Sequence, residues 1–286
     1  MHINKCKLLH SRNGWRAQRI CSADLNDAVL TLVPIVIAPI VMYVALRAQR
    51  RLGAEAAGWV AAIPTTVPIA VLAVGLESGN AAASTLTLSA ASHVPAQILY
   101  AVCFAAMWRR SGTVAGFAFA AAAFVGASIV INFLPVPVAL AAAVAALAIG
   151  PQLLQSPVRP EVIEDAEQRG PNPVFACAAA AVVVAAVISV VKIVGPVVGG
   201  VIAAFPTLST TIAVAISRSN GRDAGVGALA GLVRGLPCYF VYLVTVGVLA
   251  VPLAAVVATV VGLVLSVAVG WTLWVIRRER TIMVAQ

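Results

Sequence analysis

The sequence predicts an all-α fold, a polytopic transmembrane helical bundle of roughly nine spans built as an inverted repeat (5+4). Three observations predict it. The chain is 62% hydrophobic and 10% charged, with a mean hydropathy of +1.01, too apolar for a soluble domain to keep in water. Its apolar runs are long enough to cross a bilayer. Its two halves also match each other at one constant offset. The net charge of +9 sits in short clusters between apolar runs, so it reads as topology information and not as a nucleic-acid-binding face.

The elements follow from a ruler of about 20 apolar residues per crossing. Residues 1–26 form a polar tail, basic at Lys5, Lys7, Arg12, Arg16 and Arg19 and without the apolar centre of a signal peptide. Residues 27–154 hold a first membrane repeat plus an inverting span, with crossings near 27–47, 55–76, 81–108, 112–131 and 136–153. "NFLPVP", Asn132 to Pro137, marks a tight turn between the last two. Residues 155–171 are a polar cytoplasmic loop. Residues 172–276 form the second repeat, with spans near 172–192, 196–217, 223–249 and 251–276, and 277–286 a cytoplasmic tail.

Alternating the sides puts Arg47, Arg50, Arg51, Arg109, Arg110, Arg159, Arg169, Arg218, Arg222, Arg277, Arg278 and Arg280 on one face. Short loops rich in Lys and Arg stay cytoplasmic. The expected orientation in the cell (inner) membrane is therefore N-terminus outside and C-terminus inside, with Glu77 and Lys192 at the outer face. Trp59, Trp108, Trp271 and Trp274 would then form a cytoplasmic aromatic belt.

An offset of 142 carries Gly53, Gly58, Pro64, Thr65, Gly79, Pro95 and Tyr100 onto Gly195, Gly200, Pro206, Thr207, Gly221, Pro237 and Tyr242 without a gap. The repeats begin an odd number of spans apart, so equivalent helices cross in opposite directions. Inverted repeats with proline-interrupted helices in matching places point to a secondary transporter with a midplane site. Pro64 and Pro206 each lie about ten residues into a span, close to the bilayer centre at 1.5 Å per residue. Proline removes a donor and frees a carbonyl there. Thr65, Thr66, Thr207, Ser209 and Thr210 stand beside the two breaks as polar lining. A packing kink whose hydroxyls bond back to their own helix is the other reading.

"GGVIAAFPTLSTTIAV" and "LPCYFVYLVTVGVL" resemble the GlpM-like family of small inner-membrane proteins, over about Gly195 to Trp274; "AAIPTT" with "HVPAQILY" carries the resemblance faintly in the first half. The resemblance implies a four-helix unit used twice, with one extra span inverting the second copy. It implies no activity and no catalytic residue. Doubled small exporters of the drug/metabolite type are a fold-level analogy.

Further polar residues complete the candidate site. Thr85, Ser89, His93 and Gln97 form a stripe at helical spacing with Ser92 and Tyr100 beside it. Their counterparts at the offset include Gly227, Gly231, Gly235 and Tyr239, of which the glycines form a small-xxx-small stripe. The expectation is that spans three and eight face each other, with His93 near Gly235. Arg234 lies about 16 Å along its helix from Asp223, too deep to reach the interface comfortably. Burying it there costs on the order of 2.5–3.5 kcal/mol, and every carboxylate sits at a span end or in a polar segment. Arg234 is therefore either bonded to freed carbonyls or to Tyr100 and Tyr242, or it is a site for an anion. The lack of a mid-membrane carboxylate disfavours a proton-coupled exporter of cationic drugs. His93 is either a proton relay or a hydrogen-bond partner. The five cysteines are scattered, and no metal cluster, cofactor motif or catalytic constellation is present, so no enzyme is expected. The expected function is transport of a small anionic or lipid-phosphate substrate, with membrane lipids and no nucleic acid as partners. The alternative is a non-transporting scaffold or accessory subunit.

Overall fold

A computed structural model describes residues 50–64, 67–154 and 196–285, with a few positions between 40 and 48 and at 178 and 182. The expected tail 1–26, the loop 155–171, nearly all of the spans near 27–47 and 172–192, and Thr65 and Thr66 lie outside the described residues. Those residues form helices only: α1 (Ala54–Ala62), α2 (Val67–Ser78), α3 (Asn80–Ser92), α4 (Val94–Asn132), α5 (Val136–Leu153), α6 (Pro196–Ala204), α7 (Thr207–Asn220), α8 (Arg222–Leu253) and α9 (Ala255–Ala285). Val94–Asn132, Val136–Leu153, Val197–Arg218, Arg222–Leu253 and Ala255–Ile276 are long and apolar enough to cross a membrane. The protein is membrane-embedded.

Prolines and glycines set the boundaries. The span expected near 55–76 is two short helices on either side of Ile63 and Pro64, and the span near 196–217 is broken at Phe205 and Pro206. The span expected near 81–108 is also interrupted, at His93 (φ −92°, ψ 7°). Pro95 stands in the first turn of α4, where its missing N–H costs no helical bond. The stripe from Thr85 to Gln97 therefore belongs to two helices. Helix α4 doubles back at Gly112 (φ 88°, ψ 178°), and a Cβ on Gly116 would sit 3.1 Å from the Phe104 ring and the Trp108 nitrogen. The turn expected after Asn132 is present, closed by Leu134 N–H on the Ile131 carbonyl at 2.9 Å.

Backbone geometry recurs at the offset of 142. The bounds of α1 and α6 coincide under it. Gly79 (φ 88°, ψ 168°) and Gly221 (φ 86°, ψ 167°) begin α3 and α8 alike. Ala254 (φ 70°, ψ 149°) takes up the turn that Gly112 makes in the first half, close to a region that side chains other than glycine's rarely enter.

Two contacts lock the halves together. A Cβ on Gly58 of α1 would overlap the Ala228 carbonyl of α8, one on Gly231 would overlap the Glu55 carbonyl, and one on Gly235 would lie 2.5 Å from Ala62. Residue numbers rise together along the two helices, so α1 and α8 run parallel. A Cβ on Gly200 of α6 would lie 2.5 Å from the Leu86 carbonyl and 2.6 Å from Ser89 of α3, and Ser89 Oγ donates to the Val197 carbonyl at 2.9 Å. Leu86 and Ser89 are the offset counterparts of Ala228 and Gly231. Tight turns at Gly79 and Gly221 make α2–α3 and α7–α8 antiparallel hairpins, with Gly75 beside Ala83 and Gly225 beside Ala213.

This packing corrects two expectations. The glycine stripe of α8 faces α1 and the stripe from Ser89 to Gln97 faces α6; they do not face each other, and the near neighbours of Gly235 are Ala62 and Trp59, not His93. Small residues show that some helix comes close, without naming which. Helix α3 does meet α8, further along, through Ser84 Oγ on the Gly247 carbonyl at 2.5 Å. Trp108 does not face lipid as a belt residue would: it is buried, stacked on Phe104 at 4.8 Å, and its indole donates to Thr113 Oγ1 at 2.9 Å. Trp271 and Trp274 are exposed and paired, as a belt requires.

Candidate functional site: two helix breaks and an ion pair

At the break between α6 and α7, Pro206 has no N–H to continue the ladder, and the last carbonyls of α6 lose their helical donors. Side chains from two other helices replace them. Gln97 Nε2 donates to the Ala204 carbonyl and the Tyr239 hydroxyl to the Ala203 carbonyl at 3.4 Å. The Pro206 carbonyl accepts from Thr210 N–H at 3.0 Å and from Thr210 Oγ1 at 2.7 Å, and Thr210 Oγ1 pairs with the Tyr100 hydroxyl at 2.9 Å. Phe205 meets Phe124, Tyr100 and Phe117 edge-on, with ring centroids 5.1, 5.3 and 6.3 Å away. Ser209 is buried beside the break, and half-buried Thr207 accepts from Thr211 Oγ1 at 2.9 Å. Thr210 and Thr211 thus bond back to their own helix as a packing kink would, while Thr210 also joins α7 to α4.

The break after α1 has the same backbone plan and a different lining. Pro64 is buried, but Ile63, the counterpart of Phe205, is 44% exposed. Tyr242, the counterpart of Tyr100, is fully buried, and its hydroxyl meets no hydrogen-bond geometry among the described residues. Where Phe117 and Phe124 close the second break, the equivalent positions carry Thr259 and Ser266, both buried.

The expectation that Arg234 lacks an acidic partner is overturned. Its Nη1 lies 2.5 Å from Glu55 Oε2. Glu55 stands near the start of its helix, as the sequence says, but α1 begins level with Gly231 and not with Arg222. That recess of about nine residues, roughly 13 Å, carries the carboxylate to the arginine. Arg234 is half-buried, and among the described residues its Nε has no partner and Glu55, not Tyr100 or Tyr242, is the group that pairs with it. A second pair, Arg109–Asp223 at 3.6 Å, is exposed and contributes little.

His93 is buried at the C-terminus of α3, its Nδ1 bonded to the Ser89 carbonyl at 2.7 Å. A carbonyl only accepts, so Nδ1 carries a proton, and Nε2 is buried without a partner among the described residues. The chain therefore brings Gln97, Tyr100, Ser209 and Thr210 to the Pro206 break, leaves Tyr242 apart and pairs Arg234 elsewhere. The sequence reading missed Glu55, Phe205 and Tyr239 as participants. Tyr239 had a signal, because it is the offset counterpart of Gln97. No family model, curated protein or solved structure matches the chain.

Proposed function

We propose that this protein is a secondary transporter made of two inverted repeats, each similar to a GlpM-like unit, with its N-terminus outside the inner membrane and its C-terminus in the cytoplasm. The observation that carries the reading is the reciprocity of the two interlocked contacts, Gly58 on α8 and Gly200 on α3. Within each half the broken helix is antiparallel to the helix that follows it. Across the halves, α1 is parallel to α8 and α6 is parallel to α3. With each broken helix keeping its direction across its break, these directions support opposite runs for α1 and α6, the relation an inverted repeat demands. Matching helix breaks at residues 63–64 and 205–206 then supply the discontinuous helices around which such transporters rock.

The substrate proposed is a small anion, a carboxylate or a phosphate on a metabolite or lipid, that reaches Arg234 by displacing Glu55. A thermal-shift series on the purified protein tests this. A binding anion should stabilise wild type by about 2.7 kcal/mol at a hundred times its dissociation constant. Glu55→Gln removes the internal competitor and should strengthen the response; Arg234→Ala should abolish it; Arg50→Ala should leave it intact. The short ion pair favours a second reading, in which Arg234 and Glu55 only satisfy each other and the substrate is uncharged. That reading wins if both variants lower the ligand-free melting temperature while no anion shifts wild type.

A further inference from the structure

Gln97 and Tyr239 are offset counterparts, so two equivalent halves would send them to opposite breaks. Both instead donate to the same one, Gln97 to the Ala204 carbonyl and Tyr239 to the Ala203 carbonyl. The position of Tyr239 makes this conspicuous. Along the row of α8 that faces α1, Gly231 lies against Glu55 and Gly235 against Trp59 and Ala62. Residue 239 is one turn further in that row, where α1 ends. The corresponding row of α3 and α4 puts Ser89 on Val197 and Gln97 on Ala204 of α6. By position Tyr239 belongs to the Ala62 carbonyl as Gln97 belongs to that of Ala204, and it has turned away from it.

We propose that Gln97 and Tyr239 are a two-position switch: in the second conformation Tyr239 donates to the Ala62 carbonyl and Gln97 to the Ala61 carbonyl, moving both donors from the Pro206 break to the Pro64 break. This rests on the inverted-repeat reading and adds which groups tell its two conformations apart. While both donors stand at one break, the other has neither of them. In the switch, the break left without these two donors turns to water or a ligand, because a freed carbonyl in an apolar surrounding is costly. It is therefore the open one. In the observed state the break that holds both donors also holds Phe205 among three aromatic rings, whereas Ile63 at the other lies on the surface of the bundle.

The test exchanges the two side chains. With the five native cysteines replaced by alanine, a single cysteine at the exposed position 63 (I63C) reports the opening of the first break through its rate of labelling by a water-soluble maleimide. The double swap Q97Y/Y239Q makes the mirror state the one with native-like donors, and should slow that labelling by roughly fivefold or more, the weight of one neutral hydrogen bond. An unchanged rate in a swap that keeps the wild-type melting temperature overturns the switch. If the swap does not fold, cross-linking with a short bifunctional thiol reagent decides. Q97C/A204C must link in the state described; Y239C/A62C must link as well, in a separate population. Linking of the first pair alone overturns the proposal. Neither measurement uses a substrate, so a failed switch leaves the anion test standing, and a failed anion test leaves the switch standing.

Discussion

The two helix breaks share a backbone and differ in what surrounds them. At Pro206, three side chains from three helices bond the carbonyls at the break, Tyr100 holds one of the three, and three aromatic rings grip Phe205. At Pro64 the equivalent of the gripped phenylalanine is an exposed isoleucine, and the equivalent of a bonded tyrosine is an unbonded one. A proline therefore decides only that a helix stops. Whether the stop is sealed depends on residues on other helices, from 36 to 110 positions away in the chain, and the halves have diverged there while keeping the turns.

Substitutions at matched positions can break or sharpen this comparison. The largest effect is expected from the interlocking glycines. Gly58→Ala drives a Cβ into the Ala228 carbonyl and to 2.5 Å from the Leu232 nitrogen, backbone that cannot yield, and should cost about 3 kcal/mol. Gly200→Ala meets the Leu86 carbonyl at 2.5 Å and Ser89 Cβ at 2.6 Å, a shallower overlap than at Gly58, so about 1–2 kcal/mol is expected there. Detergent-solubilised thermal unfolding measures both, and equal losses would mean the two contacts are not distinguished as described. Next comes the plug. Phe205→Ala should cost about 2 kcal/mol, less than a fully buried phenylalanine, whereas Ile63→Ala should cost under about 1 kcal/mol. A larger loss at Ile63 would reverse the assignment of sealed and open breaks. The smallest effect concerns the tyrosines. Tyr100→Phe leaves Thr210 without its partner across α4 and α7 and should lose about 1 kcal/mol. Tyr242→Phe removes a buried hydroxyl that has no partner and should be neutral or stabilising. The same unfolding assay reads both, and a marked loss at Tyr242 would reveal a bond that the described residues do not make.

Much of the architecture was legible because its causes are local. Pro64, Pro206 and the turn after Asn132 interrupt helices through chemistry carried on the residue itself, and the offset of 142 is written in residue identities. What was not legible depended on tertiary register. Glu55 looks like a span-end residue until the close approach of Gly58 and Gly231 slides α1 along α8 to the level of Arg234. Pro95 and Pro237 occupy equivalent positions, yet one begins a helix after a break and the other lies inside α8. No single-residue rule separates them; neighbouring helices do. Of the polar stripe, Ser89, His93 and Gln97 face protein while Thr85 is exposed and bonds back to the Ala81 carbonyl, and the stripe's partner was assigned to the wrong helix for the same reason.

The crossed pairing of α1 with α8 and of α6 with α3 also governs how the protein can be made. The chain needs about 170 further residues after Gly58 before its partner surface on α8 exists, an interval on the order of ten to thirty seconds at ordinary rates of synthesis. A nascent first half can enter the bilayer, but its glycine-marked face must wait in lipid. Insertion and assembly are thus separate events in the life of this chain, and a first half truncated at residue 154 would carry each of its described helices to the membrane and leave both interlocking contacts unmade.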